Sequence, residues 1–260
     1  MEAREGSVSV IDINTSNVLK SREFQGRLIN LNIISENEIG LFLNNSETGP
    51  SYIVWDFVKN NYSTLFNTSE QTKGIIGYAF RDTKRNNFIA ATMDSLSTSQ
   101  QVTYVQTFNS DNLPIYNTPK KKGVINLGIL SPNQNFLAFG RNDGVIEVHD
   151  MNNFSKIWES EQKQIGLGFL RSIEFSPDGA FLLATGGGQN IGLWETSTGK
   201  LVTEDLKHRS ALCIANWNQM GNAFLTASNE GEIRVYEMPN PEGTQYMENI
   251  IVTSSAFGSS

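Results

Sequence analysis

The side chains that most often carry chemistry are scarce in this chain. It has two histidines, His149 and His208, and one cysteine, Cys213. A single cysteine makes neither an internal disulfide nor a cysteine-based zinc site. A serine nucleophile on a sharp turn would show as Gly-x-Ser-x-Gly, and none is present. Gly186-Gly187-Gly188 separates two apolar runs and lacks the following Lys-Ser or Lys-Thr of a phosphate loop. Gly166-Leu167-Gly168 lacks the third glycine of a dinucleotide-binding turn. No EF-hand or other metal-ligand spacing occurs. The sequence therefore yields no catalytic, cofactor-binding or metal-binding residue.

Composition narrows the partners. The 260 residues carry a formal net charge of -7, whereas a nucleic-acid interface needs a basic surface. No run approaches the roughly 18 apolar residues of a membrane span. Met1-Glu2-Ala3-Arg4-Glu5-Gly6 lacks the apolar core of a signal peptide. We expect neither nucleic acid nor membrane as a partner. The expected setting is intracellular, in the cytoplasm, with the nucleus left open. Asn61-Tyr62-Ser63 and Asn67-Thr68-Ser69 then read as loop residues rather than glycan sites.

Any site must be positioned by strands. Short apolar runs alternate with Asn, Gly, Asp, Ser and Pro. Ser7–Ile13 and Gly144–His149 have the period of two that suits half-buried strands. No long amphipathic helix is evident, so the class is all-β. A repeat sharpens this. Strands ending in a bulky residue and an acid recur at Ile11-Asp12, Trp55-Asp56, His149-Asp150, Trp194-Glu195 and Tyr236-Glu237. With a degenerate member near Val105-Gln106, the spacings are 44, 50, 44, 45 and 42 residues. A period of about 40–45 residues is that of four-stranded propeller blades. The turns keep phase: Leu130-Ser131-Pro132-Asn133, Phe175-Ser176-Pro177-Asp178-Gly179 and the weaker Trp217-Asn218-Gln219-Met220-Gly221. Each precedes an apolar strand, at Phe136–Phe139, Phe181–Ala184 and Phe224–Ala227.

These residues resemble the WD40-repeat family. The best stretches are Phe175–Gly179 with Ile191–Glu195, and Asn142-Asp143-Gly144 with Val148-His149-Asp150. The expectation is one degenerate β-propeller domain over 1–260. Its approximate repeats are 7–22, 26–70, 74–118, 123–160, 169–206 and 211–252. That makes about five full blades plus a partial N-terminal one, and six or seven in a completed ring. The missing inner strands of the first unit imply an open edge able to pair with another chain, or a longer protein. In the family a His, a Ser or Thr, an Asp and a Trp form one hydrogen-bonded set. Only the last unit approaches it, with His208, Thr226, Glu230 and Tyr236 at those positions. Phe139 takes the Ser position two units earlier. We read His208 and Asp143 as turn stabilisers, and His149 as buried at the Trp position.

The resemblance implies a non-catalytic protein-interaction scaffold within a larger assembly, with no cofactor. The alternative is a propeller hydrolase or lactonase with a channel-centred site. Two family sub-functions lack their motifs. No Arg stands two residues after Trp55-Asp56 or Trp194-Glu195, as in cullin-ligase substrate receptors. Phe169-Leu170-Arg171-Ser172 has only one arginine of the Phe-Arg-Arg-Gly of phosphoinositide binders. The family places two sets of loops on one face. Here they hold Lys73, Lys120, Lys121, Lys122, Arg141, Lys207, His208 and Arg209, with Phe169 exposed among them. The candidate partner-binding residues are Lys121, Lys122, Arg141, Phe169, His208 and Arg209. An acidic or phosphorylated peptide would suit them through charge-assisted hydrogen bonds.

Overall fold

The computed structural model describes residues 5–45, 48–67, 75–97, 100–109, 111, 113–119, 121–160, 169–202, 206, 208–238 and 247–253. The chain is all-β and divides into two compact units, Met1–Lys122 and Gly123–Ser260. Among the described residues no helix is long and apolar enough to cross a membrane.

The first unit holds three antiparallel sheets. β1 (Glu5–Ile11) and β2 (Val18–Gln25) form a two-stranded one. β3 (Arg27–Ile33), β4 (Glu38–Asn45), β5 (Gly49–Asp56) and β6 (Asn61–Asn67) follow in sequential order. β7 (Ile75–Asp82), β8 (Asn87–Ser97), β9 (Gln100–Phe108) and β10 (Pro114–Asn117) form the third, with the short β11 (Lys121–Lys122) also on β9. Alternation puts Val8 and Phe24 of the β1–β2 pair against Leu41, Leu43, Ile53 and Trp55. The other side of that pair stays open, with Ser7, Ser9, Ser21 and Glu23 exposed.

The second unit repeats the pattern. β12 (Ile125–Leu130), β13 (Phe136–Arg141), β14 (Ile146–Asp150) and β15 (Lys156–Glu159) make one sheet. β16 (Leu170–Phe175), β17 (Phe181–Gly186) and β18 (Ile191–Glu195) make a three-stranded sheet, and a lone Trp194–Leu201 bridge marks a rudimentary fourth strand. β19 (Leu212–Trp217), β20 (Ala223–Ser228), β21 (Glu232–Glu237) and β22 (Met247–Thr253) make the last.

Neighbouring sheets of this unit stack face on face. Ala138, Ile146 and Val148 of one pack on Leu170, Leu182, Ala184 and Trp194 of the next. Leu183, Ile191 and Leu193 pack in turn on Leu212, Phe224 and Tyr236. A fully buried side chain of this size contributes about 1.5–3 kcal/mol, so each of these layers stabilises the unit. β17 is covered on both faces, which is why Phe181-Leu182-Leu183-Ala184 is continuously apolar rather than alternating.

Two backbone devices recur. The pairing of first and second strands shifts register near its start in all five sheets of three or more strands, between Leu28/Asn30, Ile76/Tyr78, Ile125/Leu127, Leu170/Ser172 and Leu212/Ile214. Such a bulge bends the first strand and tightens its twist. The turns after the first strands of the second unit are closed by one side chain. Ser131 Oγ accepts the Phe136 N–H at 2.9 Å, and Ser176 Oγ accepts that of Phe181 at 2.9 Å. In the third copy Asn218 Oδ1 does the same for Ala223 at 3.2 Å.

Candidate interaction face

At the opposite end of the second unit, loops of the last two sheets are tied together by main-chain bonds. The Gly187 N–H donates to the Phe169 carbonyl at 2.8 Å, and the His208 N–H to that of Gln189 at 2.8 Å. The Leu212 and Asn229 N–H groups donate to Gly188 and Ala211, at 3.2 and 2.9 Å. Side chains add to this lacing. Gln189 Nε2 donates to the Arg209 carbonyl at 2.8 Å, and Arg171 Nη1 to Asn229 Oδ1 at 3.1 Å. Phe169, Arg171, Gln189, Arg209 and Asn229 are thereby gathered on one stiff frame.

The structure sorts the sequence candidates by accessibility. Phe169 is 56% exposed, and Arg209 is also exposed. Arg141 is held inward. Its guanidinium grips Asp143 with Nε–Oδ1 at 3.2 Å and Nη2–Oδ2 at 2.6 Å. It also reaches Glu147 at 3.3 Å and Glu159 at 3.7 Å. Burial works against the Arg141 charge, but Asp143, Glu147 and Glu159 outweigh it and raise its pKa. Asp143 is lowered correspondingly: burial pushes it up, and the Arg141 bonds and the Val145 N–H prevail. Glu147 further faces His149 at 3.4 Å, and His149 stacks on Phe139 with centroids 5.0 Å apart. This burial follows the expectation for His149.

His208 is 3% exposed and faces its sheet. Its Nε2 lies 2.6 Å from Thr226 Oγ1, and its Nδ1 3.2 Å from Glu232 Oε2. With the proton on Nδ1, on the carboxylate side, Nε2 accepts the Thr226 hydroxyl. The acid beside the ring is therefore Glu232, 9% exposed, and not the exposed Glu230. The turn Asn229-Glu230-Gly231 carries Glu230 outward, and β21 then begins at Glu232 on the buried side. Glu232 also takes Arg234 Nη2 at 2.7 Å and the Arg209 N–H at 3.3 Å. Burial pushes the Glu232 pKa up, but Arg234, the Arg209 N–H and His208 together hold it below the usual range. Lys121 and Lys122 sit in β11, paired with Thr103 and Val102. Their side chains, and Lys73, Lys120 and Lys207, lie outside the described residues.

Sequence reasoning missed Arg171, Gln189 and Asn229 as members of this face. Arg171 carries a readable signal, an exposed charge between buried Leu170 and half-buried Ser172 in a first strand. Gln189 and Asn229 carry none, because only the stacking of sheets brings their loops together.

The family model described as the anaphase-promoting complex subunit 4 WD40 domain matches residues 128–218. Over that stretch the chain is similar to WD40-repeat sequence, which supports the resemblance. No curated protein compared with the chain matches it. The matched WD40 residues run from β12 to the end of β19, through the stacked sheets that frame the face. WD40 domains are generally non-catalytic and typically serve as protein-interaction scaffolds. Among the described residues, no group of three or more His, Cys, Asp and Glu side chains is placed to hold a metal ion.

Proposed function

We propose that this WD40-type chain is a non-catalytic interaction platform within a larger protein assembly. The observation that carries the reading is the stiffly laced loop face, with exposed Phe169 and Arg209 on a frame drawn from two sheets. A rigid frame lowers the ordering cost of binding. A partly exposed aromatic beside arginine is the composition of an interface anchor. The matched family model is of an anaphase-promoting complex subunit, which supports a role inside a multi-subunit assembly. The partner class is an acidic or phosphorylated peptide segment, with Phe169 taking an apolar residue and Arg171 and Arg209 taking the anion. The free edge of β1, which pairs with β2 alone among the described residues, offers main-chain pairing to a partner strand.

The test is binding of the purified chain to an array of acidic and phosphoserine peptides alongside their Gln and Ser counterparts. Acidic members should bind, and Arg209→Glu and Phe169→Ala should each weaken them about tenfold, near 1.4 kcal/mol. Binding that ignores peptide charge, or survives both substitutions, refutes the reading.

A further inference from the structure

Ser131, Ser176 and Thr118 each stand directly before a proline, and they differ in what holds them. Ser131 and Ser176 are each 1% exposed, and each closes its turn by accepting a main-chain N–H at 2.9 Å. The residues three positions on are Gln134 and Gly179, neither of them charged. Thr118 is followed by Pro119 and, three positions on, by Lys121. It is half-buried and lies between β10 and β11, the outer pieces of their sheet.

β10 and β11 run along one edge of β9. Tyr116 and Asn117 pair with Thr107 and Gln106, and Lys121 and Lys122 with Thr103 and Val102. Thr118 joins the two pieces by clasping Val105. Its N–H donates to the Val105 carbonyl at 2.9 Å, and its Oγ1 accepts the Val105 N–H at 2.9 Å. Val105 is 4% exposed, so the clasp ties this edge to the buried part of the sheet. Pro119 has no N–H to give and interrupts the ladder. The edge is thus two short pieces, of four and two residues. Short edge pieces open at far lower cost than central strands.

We infer that Thr118 is a phosphorylation site for a proline-directed serine/threonine kinase that also reads a basic residue three positions on. A cleft with no acceptor for the N–H after the hydroxyl residue favours proline there, and an acidic patch further along favours lysine. In the reaction Thr118 Oγ1 attacks the γ-phosphorus of ATP and the bond from that phosphorus to ADP breaks. The hydroxyl proton passes to the catalytic aspartate of the kinase. The ester oxygen left on Thr118 is a poor acceptor, and the group it carries has a charge of about −1.5 to −2. Such a group does not fit against the Val105 N–H in a buried position. Phosphorylation therefore undoes the clasp and frees β10 and β11 from β9, at the end of the first unit.

The test treats the purified full chain with such a kinase and Mg-ATP, beside a synthetic peptide of residues 111–125. Intact mass and fragment mapping read the product. Thr118 of the folded chain should take one phosphoryl group. Thr118→Ala should abolish the modification, and Thr118→Ser, which keeps the clasp, should retain it. Lys121→Ala should slow it at least about tenfold. Hydrogen exchange at the Val105 amide should quicken at least about tenfold on phosphorylation. The inference is overturned if the peptide is modified and Thr118 of the chain is not, or if neither is. It is equally overturned by a rate indifferent to Lys121, or by a Val105 amide that exchanges no faster in the phosphorylated chain.

Discussion

Two threonines, each 0% exposed and each in the second strand of neighbouring sheets, should respond to the same substitution with opposite sign. Thr226 has its hydroxyl 2.6 Å from the buried His208 ring. Thr226→Val keeps the shape, removes that bond and leaves Nε2 unsatisfied inside the sheet stack. Such a loss costs about 1–3 kcal/mol. Thr185 has its hydroxyl equally buried, with no partner among the described residues. Thr185→Val removes a group that is paying desolvation for nothing and adds apolar surface. It should stabilise the second unit by about 1 kcal/mol. The two variants should therefore differ by roughly 2–4 kcal/mol, with Tm moving by about 2–4 °C per kcal/mol. Tryptophan fluorescence in a urea titration follows this unit, because Trp158, Trp194 and Trp217 lie in it and Trp55 in the other. If Thr185→Val destabilises as much as Thr226→Val, the account of which hydroxyls are satisfied is wrong.

Two further outcomes follow from particular contacts. Burial raises the pKa of Glu174 and outweighs the Trp217 N–H that lowers it. A carboxylate raised in the folded state weakens the fold at neutral pH, and that penalty fades as pH falls toward its unfolded value. Glu174→Gln should therefore raise the urea midpoint near pH 7, and the gain should shrink as pH approaches about 4.5; a gain independent of pH would contradict this. Gly199 has φ +71°, and a Cβ there would stand 2.5 Å from Trp158 Cγ. Trp158 is anchored by its indole N–H to the Thr196 carbonyl at 2.7 Å, so it cannot easily withdraw. Gly199→Ala should cost at least about 2 kcal/mol, and an unchanged melting curve would show that the turn gives way.

What the local pattern determined is the strand content and the side each strand buries. Period-two alternation and the Ser-Pro-Asn and Ser-Pro-Asp turns are local properties, legible because a strand side chain's direction depends only on parity. The aromatic-acid spacing likewise made the WD40 resemblance legible before any coordinates. Partnership across strands is not local. The repeat pattern put Glu230 at the acid position beside His208, and the turn at 229–231 and the β20–β21 register bring Glu232 there instead. The same holds for Arg141, an ordinary loop cation until the β13–β14–β15 ladder brings Glu147 and Glu159 beside it. The recurring bulge in the first strands has no residue signature, since one extra residue needs no special side chain. Stacking decided exposure most of all. Leu183 and Leu225 are the same residue at equivalent positions, and Leu183 is buried because the next sheet of the second unit is laid over it.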